Sequence, residues 1–386
     1  NVVWKLGRIL EIHRPLFRAL AIFLLEDHRV TLVEGNHDAE VYFPEVRQAL
    51  TDELVRLAQA HLDRGGGRGD PAALATRLSF CSWFTAAPGR YHIEHGHQYD
   101  QFCSFEYKLA PYDKGDGRVL ATPLSHRPLP YLAETLGDFS THGIGHWSWR
   151  QLGRFVVSLG PRVLWTVARL YVVLGYELLR QAGPQRREEL AAHAAAHDEQ
   201  LRALSEGGPY SLGTLRALDG LKALPAEYSI LKMLHVFYLD RLLWTGASLA
   251  AAGLGGLCAG ASAALGGLAV WGLGLWGLES WRIVDARPAL RAAAARIAGL
   301  TGARYVVFGH SHDPEVIDLQ AAYGVGAYGD AVFYLNSGSW VTREILRGEA
   351  GLGMTFVEIT GEGATLKRWV GPDRPPRVLA GTRGVA

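Results

Sequence analysis

Three short strings carry the residues of this chain whose types and spacing best suit metal binding. They are GNHD at residues 35–38, HGH at residues 95–97 and GHSH at residues 309–312. Imidazole nitrogens and carboxamide oxygens bind borderline divalent ions such as Mn²⁺, Fe²⁺, Zn²⁺ or Ni²⁺. Two such ions about 3.5–4 Å apart can hold a phosphate group and activate water to attack it. The strings therefore predict a metal site that is assembled from separate loops.

Each string directly follows a β-rich run, at residues 30–33, 91–94 and 305–308. A strand followed by an abrupt turn presents ligands at the carboxyl edge of an α/β sheet. Hydrophobic patterns predict further strands at residues 331–335, 354–359 and 364–369. Similar patterns predict helices at residues 3–25 and 44–62. The chain is therefore expected to be an α/β protein with a long interruption between about residues 149 and 300.

The interruption contains a long apolar run, because no charged residue occurs from Leu242 to Leu278. A helix needs about 20 apolar residues to cross a bilayer, so this run predicts one long crossing or a tight pair. Gly256 and Gly260 form a GxxxG pattern, which suits close packing of helices in lipid. Four tryptophans lie toward the ends of the run, where interfacial aromatic residues occur: Trp244, Trp271, Trp276 and Trp281. The alternative is a buried Gly/Ala-rich hairpin in a soluble domain.

A second apolar segment at residues 155–179 contains Arg162 and Arg169, which are costly in mid-bilayer. It is therefore interpreted either as a crossing or as an interfacial helix. The parts before and after the interruption are predicted to form one domain, so the chain must cross the membrane an even number of times. Either both apolar segments cross once, or 242–278 forms a hairpin and 155–179 lies flat. Arginines flank these segments on several sides and do not indicate an orientation.

Charge and cysteine content exclude several classes of function. The chain has 386 residues and a net charge of +1, which argues against a nucleic-acid or polyanion partner. Its three cysteines, Cys81, Cys103 and Cys258, lack CxxC spacing and indicate neither a disulfide framework nor a thiolate zinc site. No signal-peptide pattern is visible. A catalytic domain that faces the cytoplasm, in a membrane-associated protein, fits this composition.

GNHD, HGH and GHSH in this order resemble the motifs of the calcineurin-like metallophosphoesterases. The later string YLNSGSW at residues 334–340 is also similar to the strand and loop that follow GHxH in that family. The resemblance covers residues 1–148 and 300–386, and leaves residues 149–299 as a helical, partly hydrophobic insertion with a membrane-associated segment. It implies a metallophosphoesterase-type αββα sandwich and two divalent metal ions, with Mn as the first choice and Fe, Zn or Ni as alternatives.

The resemblance also implies roles for individual residues. Asn36, His95 and His310 would bind the second metal ion, and His312 would bind the first. His37 would be the catalytic residue, which protonates the leaving group or stabilises the transition state.

Other residues near the motifs have open roles. His97 is interpreted as an outer group that contacts the ligands, or as the ligand in place of His95. Asp38 is interpreted equally as an acceptor that orients an imidazole and as a turn residue. Asp100 is interpreted as a loop residue in preference to a residue of the site.

The chain departs from the family pattern before GNHD. The family pattern opens with DxH and GDxxD, which supply the ligands of the first metal ion and the bridging carboxylate, and neither string occurs there. The expectation is that the sequence begins just after GDxxD, and the alternative is a protein that has lost its first metal ion. In either case, ligands of the first metal ion are missing, so the polypeptide as given is expected to lack full hydrolytic activity.

The function implied by the resemblance is dinuclear, metal-dependent hydrolysis of a phosphoester. A hydroxide that bridges the metal ions would attack phosphorus in line, with assistance from His37. The expected substrate is a phosphoester small molecule, either lipid-linked or a nucleotide diester. HGH and the membrane insertion resemble the branch that contains UDP-2,3-diacylglucosamine pyrophosphohydrolases. The alternative function is a degenerate metallophosphoesterase scaffold that serves as a membrane-anchored binding or regulatory module.

Overall fold

The computed structural model describes residues 2–113, 119–121, 123, 184–236, 239–280, 285–326, 331–340 and 353–382, with isolated residues between 160 and 176. The described α-helices are α1 (Val2–Ile12), α2 (Arg14–Leu25), α3 (Pro44–Leu62), α4 (Pro71–Leu74), α5 (Pro184–Leu190), α6 (Ala194–Gly207), α7 (Leu212–Asp219), α8 (Ile230–Val236), α9 (Leu239–Ala259), α10 (Ala261–Ser280), α11 (Arg287–Thr301) and α12 (Leu319–Tyr323). The described strands are β1 (Val30–Val33), β2 (Leu78–Cys81), β3 (Phe84–Ala87), β4 (Tyr91–Glu94), β5 (Tyr305–Phe308), β6 (Glu315–Asp318), β7 (Phe333–Asn336), β8 (Thr355–Thr360), β9 (Gly363–Arg368) and β10 (Arg377–Gly381). The predicted α/β class is confirmed as a mixed α/β fold with a helical region.

The central sheet has five strands in the order β3-β4-β5-β7-β6. Strands β4, β5 and β7 are parallel, and β3 and β6 pair antiparallel at the two edges. All four residues of β5 are buried, as are those of β7, which explains their continuous apolar pattern. Because the three parallel strands end at one edge of the sheet, the loops after Glu94, Phe308 and Asn336 start side by side.

Helices cover one face of the central sheet and a second sheet covers the other. On the first face, α6, α7 and α11 share a core with the strands, in which Leu201, Leu215, Ile297, Phe308 and Tyr334 are buried. On the second face lies the antiparallel sheet β10-β9-β8. There Val307 and Leu335 share a core with Val357 and Ile359. A largely apolar cavity of about 420 Å³ remains between the two sheets and reaches His95.

A smaller unit at the start of the chain carries the GNHD string. Strands β1 and β2 pair in parallel, with Val30 opposite Leu78, and helices α1, α2 and α3 bury their apolar faces against them. The predicted helix at residues 3–25 is divided into α1 and α2 at His13. Pro15 explains the break, since proline has no N–H and fits only the first turn of a helix. Helix α3 has the bounds that the sequence predicts.

Helices α9 and α10 form the hairpin that was one of the two alternatives for the apolar run. The chain turns at Gly260, whose φ of +83° lies in the left-handed region. A Cβ on Gly267 would lie 2.7 Å from that of Ala252, so the helices pack at van der Waals distance along small residues. At the base of the hairpin, Arg241 Nη2 donates a hydrogen bond to the carbonyl of Leu278 at 2.8 Å.

Both helices of the hairpin are long and apolar enough to span a membrane. The apolar windows at Leu239–Ala259 and Ala261–Leu278 are 11% and 0% buried, so their side chains face outward. At about 1.5 Å per residue, helices of 21 and 20 residues match a hydrocarbon core of about 30 Å. The other apolar segment, 155–179, lies largely outside the described residues, as does the predicted domain boundary at residue 148.

Part of the predicted insertion belongs to the core of the sheet. Helices α6, α7 and α11 fall within residues 149–299 or extend just past them, and their apolar side chains pack with those of β5 and β7. Helices α5 and α6 therefore have a buried face, which includes Leu190 and Leu201. Within the described residues, the segment that stands apart from this core is the hairpin of α9 and α10.

Candidate metal centre

The three motif loops converge at the carboxyl edge of the central sheet. His95 follows β4 and Gly309 follows β5, and the Gly309 N–H donates to the carbonyl of His95 at 3.1 Å. The imidazole rings of His95 and His310 have centres 5.4 Å apart. Two imidazoles that each place a nitrogen about 2.1 Å from one ion have ring centres roughly 5 Å apart at a tetrahedral angle. This separation of the two rings is compatible with a shared ion.

The GNHD loop reaches the same place through Gly35. A Cβ on this residue would lie 2.8 Å from Cδ2 and 2.9 Å from Nε2 of His95, which no side chain tolerates. The glycine thus permits the backbone to pass directly against the imidazole edge. The Asp38 carboxylate accepts a hydrogen bond from the Gly35 N–H at 2.7 Å, so Asp38 closes the turn.

Asn36 supplies the feature of this site that most needs a partner. Its side chain is 2% exposed. Its Oδ1 atom is buried and accepts no hydrogen bond within the described part of the chain. Leaving a buried carbonyl oxygen unpaired costs about 1–3 kcal/mol, and such atoms are rare in native structures. A cation bound at this oxygen would satisfy it.

His95 is held in the form that binds metal ions. Burial lowers its pKa well below the ordinary value, and the nearby His310 lowers it further. The imidazole is therefore neutral at neutral pH, and neutral imidazole is the form that donates a lone pair to a metal ion.

His310 is held by a residue that the sequence analysis set aside. Its Nε2 lies 2.9 Å from Oδ2 of Asp100, which leaves Nδ1 to face a ligand. A carboxylate on the second nitrogen of a metal-binding histidine fixes the orientation of the ring. Asp100 is thus a residue of the site and not only of the loop. Its separation of five residues from His95 matches no motif, so the sequence carries no pattern that would identify it.

Cys103 is a second residue near His310 that sequence reasoning missed. The donor atoms of Asp100, Cys103 and His310 all lie within 4.8 Å of one another. Cys103 is buried. Because it lacks CxxC spacing, the sequence did not indicate that it lies beside His310. This grouping is not specific for any one metal.

The GHSH loop has a strained backbone that is braced from below. His310 and His312 have φ of +63° and +61°, in the left-handed region that residues with a Cβ seldom adopt. The buried Asn336 amide donates to the carbonyl of Gly309 at 2.6 Å and to Oγ of Ser311 at 3.0 Å. Such strain persists only where the surroundings enforce it, and it clusters at functional sites.

His37 lies at the exposed rim of the cluster. The surrounding protein partly desolvates its ring and lowers its pKa, and the neighbouring His312 and His310 lower it further. His37 and His312 therefore lie within electrostatic reach of the other two histidines. The five predicted site residues are gathered at one edge of the sheet, with Asn36 and His95 inside and His37 outside.

His97 uses both ring nitrogens within the protein. Its Nδ1 lies 3.1 Å from Nδ1 of His95, and its Nε2 lies 3.0 Å from Nζ of the buried Lys108. The sequence analysis left open whether His95 or His97 is the metal ligand. His95 is the one whose Nε2 faces the GNHD loop.

The described residues fit one divalent ion better than two. Asn36, His95 and His310 offer one oxygen and two nitrogens as candidate ligands. Within the described ranges, His312 is the one predicted ligand that remains for a second ion. No protein-family model, curated protein or solved structure matches this chain. The chemistry of the site therefore has to be inferred from its own residues.

Proposed function

We propose that this chain carries the metal centre of a metal-dependent phosphoester hydrolase of the calcineurin-like metallophosphoesterase type. The observation that carries the proposal is the buried, unpaired Oδ1 of Asn36, the residue that follows the Gly35 packed against His95. The residue types and their order in three loops support the same family, and the fit of two imidazoles and one amide oxygen supports a divalent ion. Mn²⁺ is the first candidate, with Fe²⁺, Zn²⁺ and Ni²⁺ as alternatives.

In this proposal the protein groups bind and orient the reactants. A divalent ion supplies Lewis acidity toward a phosphoryl oxygen and the attacking water. Asn36, His95 and His310 hold the ion, and Asp100 fixes the ring of His310. His37, at the rim, donates a hydrogen bond to the phosphoryl oxygen or a proton to the leaving group. His312 is the candidate ligand of a second ion, so the dinuclear form remains a prediction.

We also infer that the two facing sheets belong to an αββα sandwich of the metallophosphoesterase type. The shared core of Val307, Leu335, Val357 and Ile359 supports this arrangement, as do the helices on the opposite face of the central sheet.

The proposed substrate is a phosphodiester or pyrophosphate with a lipid tail, and a nucleotide diester is the second candidate. The apolar, outward-facing hairpin of α9 and α10 supports a membrane location, where lipid-linked substrates reside. By analogy, this resembles the branch of UDP-2,3-diacylglucosamine pyrophosphohydrolases. The catalytic domain is proposed to face the cytoplasm.

The test is metal binding followed by hydrolysis. Titration with Mn²⁺ should show a site that is lost in Asn36→Ala and His310→Ala and kept in His13→Ala, an exposed histidine remote from the cluster. Hydrolysis of bis-p-nitrophenyl phosphate should need the same residues and vanish in EDTA. Equal Mn²⁺ affinity in all four proteins would exclude this centre.

One observation favours the alternative, a membrane-anchored binding or regulatory module on the same scaffold. Among the described residues, the site has a donor set for a single ion, whereas in-line hydrolysis is expected to use two. A protein that binds one Mn²⁺ through Asn36 and His310 but hydrolyses no phosphoester would support this module over the enzyme.

A further inference from the structure

A series of buried, hydrogen-bonded side chains extends from the candidate metal ligand His95 to Lys108. Its Nδ1 lies 3.1 Å from Nδ1 of His97, whose Nε2 lies 3.0 Å from Nζ of Lys108. His97 is 1% exposed and Lys108 is 2% exposed. A lysine this deeply buried is uncommon, because an ammonium group out of water costs several kcal/mol unless it is compensated.

The surroundings show that Lys108 is held against His97 by a built arrangement. The Gln98 amide and the Phe105 backbone exchange two hydrogen bonds, from Phe105 N to Oε1 at 2.8 Å and from Nε2 to Phe105 O at 3.1 Å. The next turn of chain is tied by Leu109 N, which donates to Nδ1 of His197 at 3.2 Å. These bonds fix the segment that brings Lys108 beneath the HGH loop.

The orientation of His95 indicates which of its ring nitrogens can bind a metal ion. Its Nδ1 faces His97, whereas its opposite edge, with Cδ2 and Nε2, abuts Gly35 at the start of the GNHD loop. The nitrogen available to a metal ion on the side of the GNHD loop is therefore Nε2. For Nε2 to offer a lone pair, the ring proton must lie on Nδ1.

A proton on Nδ1 of His95 determines which group donates and which accepts in each hydrogen bond of this series. His95 then donates to Nδ1 of His97, so the proton of His97 lies on Nε2 and is donated onward. The group at position 108 must accept that hydrogen bond. A group that can only donate would reverse the donor and acceptor roles along the series. The proton of His95 would then lie on Nε2, where the ion binds.

We propose that His97 and Lys108 are positioning residues, which hold His95 with an unprotonated Nε2 toward the GNHD loop and thereby set the metal affinity of the site. This inference rests on the proposed function, since it assumes that His95 binds a metal ion. It assigns Lys108 the role of hydrogen-bond acceptor, as a neutral amine. Burial of Lys108 favours that neutral form and lowers its pKa, against the opposing charges of Glu34, Glu94 and Asp38.

The test is Co²⁺ binding, followed by the visible absorption of the bound ion, in the full chain and three variants at position 108. Lys108→Met cannot donate and offers only a weak sulfur acceptor, and Lys108→Arg can only donate. We expect both variants to bind Co²⁺ about 10–100-fold more weakly, the range found when an outer partner of a ligand is lost. Lys108→Gln can accept and should recover part of the affinity. Lys222→Met, a partly buried lysine bonded to Asp219, is the control and should match the wild type.

Each outcome separates the inference from the proposed function. Loss of Co²⁺ binding by the wild type would overturn both. Normal binding by the wild type and by Lys108→Met and Lys108→Arg would overturn the positioning role alone, as would recovery by Arg and not by Gln. If a variant at position 108 fails to fold, His97→Asn and His97→Leu replace it, since the Asn amide reaches about where Nδ1 lies. Equal affinity of that pair would also overturn the role.

Discussion

The chemistry of the site depends on a few side chains that the fold removes from water. Asn36 and His95 are candidate ligands because burial leaves one with an unpaired oxygen and keeps the other neutral. His37 differs from them, since it lies at the rim and its contribution is expected in turnover and not in metal affinity.

His37→Ala should reduce turnover by about 10²–10⁴-fold, the usual contribution of a positioned proton donor. The Mn²⁺ affinity should stay unchanged, because His37 is not among the proposed ligands. Steady-state hydrolysis of bis-p-nitrophenyl phosphate and calorimetric titration of Mn²⁺ measure the two effects separately. A large loss of Mn²⁺ binding would show that His37 is a ligand.

Asn336→Ala should weaken the site without touching a ligand. The amide of Asn336 braces Gly309 and Ser311 and accepts from Gly338 N at 3.0 Å, so its removal leaves buried groups unpaired. We expect a loss of about 1–3 kcal/mol in the free energy of unfolding, measured by denaturant titration in detergent. Mn²⁺ affinity should also fall, since the left-handed His310 and His312 lose their support. Unchanged stability and affinity would show that the loop holds its shape alone.

At the scale of elements, pairs of helices are joined by contacts that can be tested one at a time. Helices α6 and α7 are connected by a side-chain contact, in which Nε2 of His197 lies 3.2 Å from Oδ1 of Asp219. Helices α9 and α10 are joined by the packing of small residues.

The contact between His197 and Asp219 should make the free energy of unfolding depend on pH in the acidic range. Burial tends to raise the pKa of Asp219, but the hydrogen bond from His197 and the charge of Lys222 outweigh it and hold the pKa below its ordinary value of 3.8. Because the folded state lowers this pKa, the contribution of Asp219 is complete above the unfolded pKa and is lost as the pH falls through the folded one. The stability advantage of the wild type over Asp219→Asn should therefore shrink below about pH 4, in urea titrations at several pH values.

Gly267→Ala should loosen the hairpin, whereas Gly266→Ala should not. A Cβ at residue 267 would lie 2.7 Å from the Cβ of Ala252, whereas at residue 266 it would meet nothing within 4 Å. Forcing a methyl group into close packing costs about 1–3 kcal/mol. The melting temperature in detergent should fall in the first variant only. A parallel change in both would indicate that the helices do not pack in this way.

At the scale of the whole molecule, the hairpin is the part that can be removed. Arg241 and Leu278 are hydrogen-bonded at its base, so a short Gly/Ser linker can replace residues 239–280. We expect the shortened protein to leave the membrane fraction and to bind Co²⁺ as the wild type does, measured by sedimentation and titration. A folded product that stays in the membrane fraction would assign the anchoring to another segment.

Much of this architecture could be predicted from periodicity and local turns. The strands before GNHD, HGH and GHSH, and helix α3, lie where their patterns indicate. Strands β2, β3, β6 and β10 were not predicted, because each is short and carries no clear alternation. The proposed roles of Asp100 and Lys108 depend on contacts that form when loops fold back, such as the one between His310 and Asp100, which are 210 residues apart. No local pattern encodes such a contact.

The pairing of β4 with β5 has a consequence for the order of events during synthesis. His92 lies opposite Val306 in this pair, and the hairpin of α9 and α10 is encoded between them. A ribosome must therefore deliver both apolar helices before the second half of the sheet exists. If the hairpin enters the bilayer as it emerges, His95 meets His310 only after the protein is already tethered there. The candidate metal site would then be completed at the membrane surface.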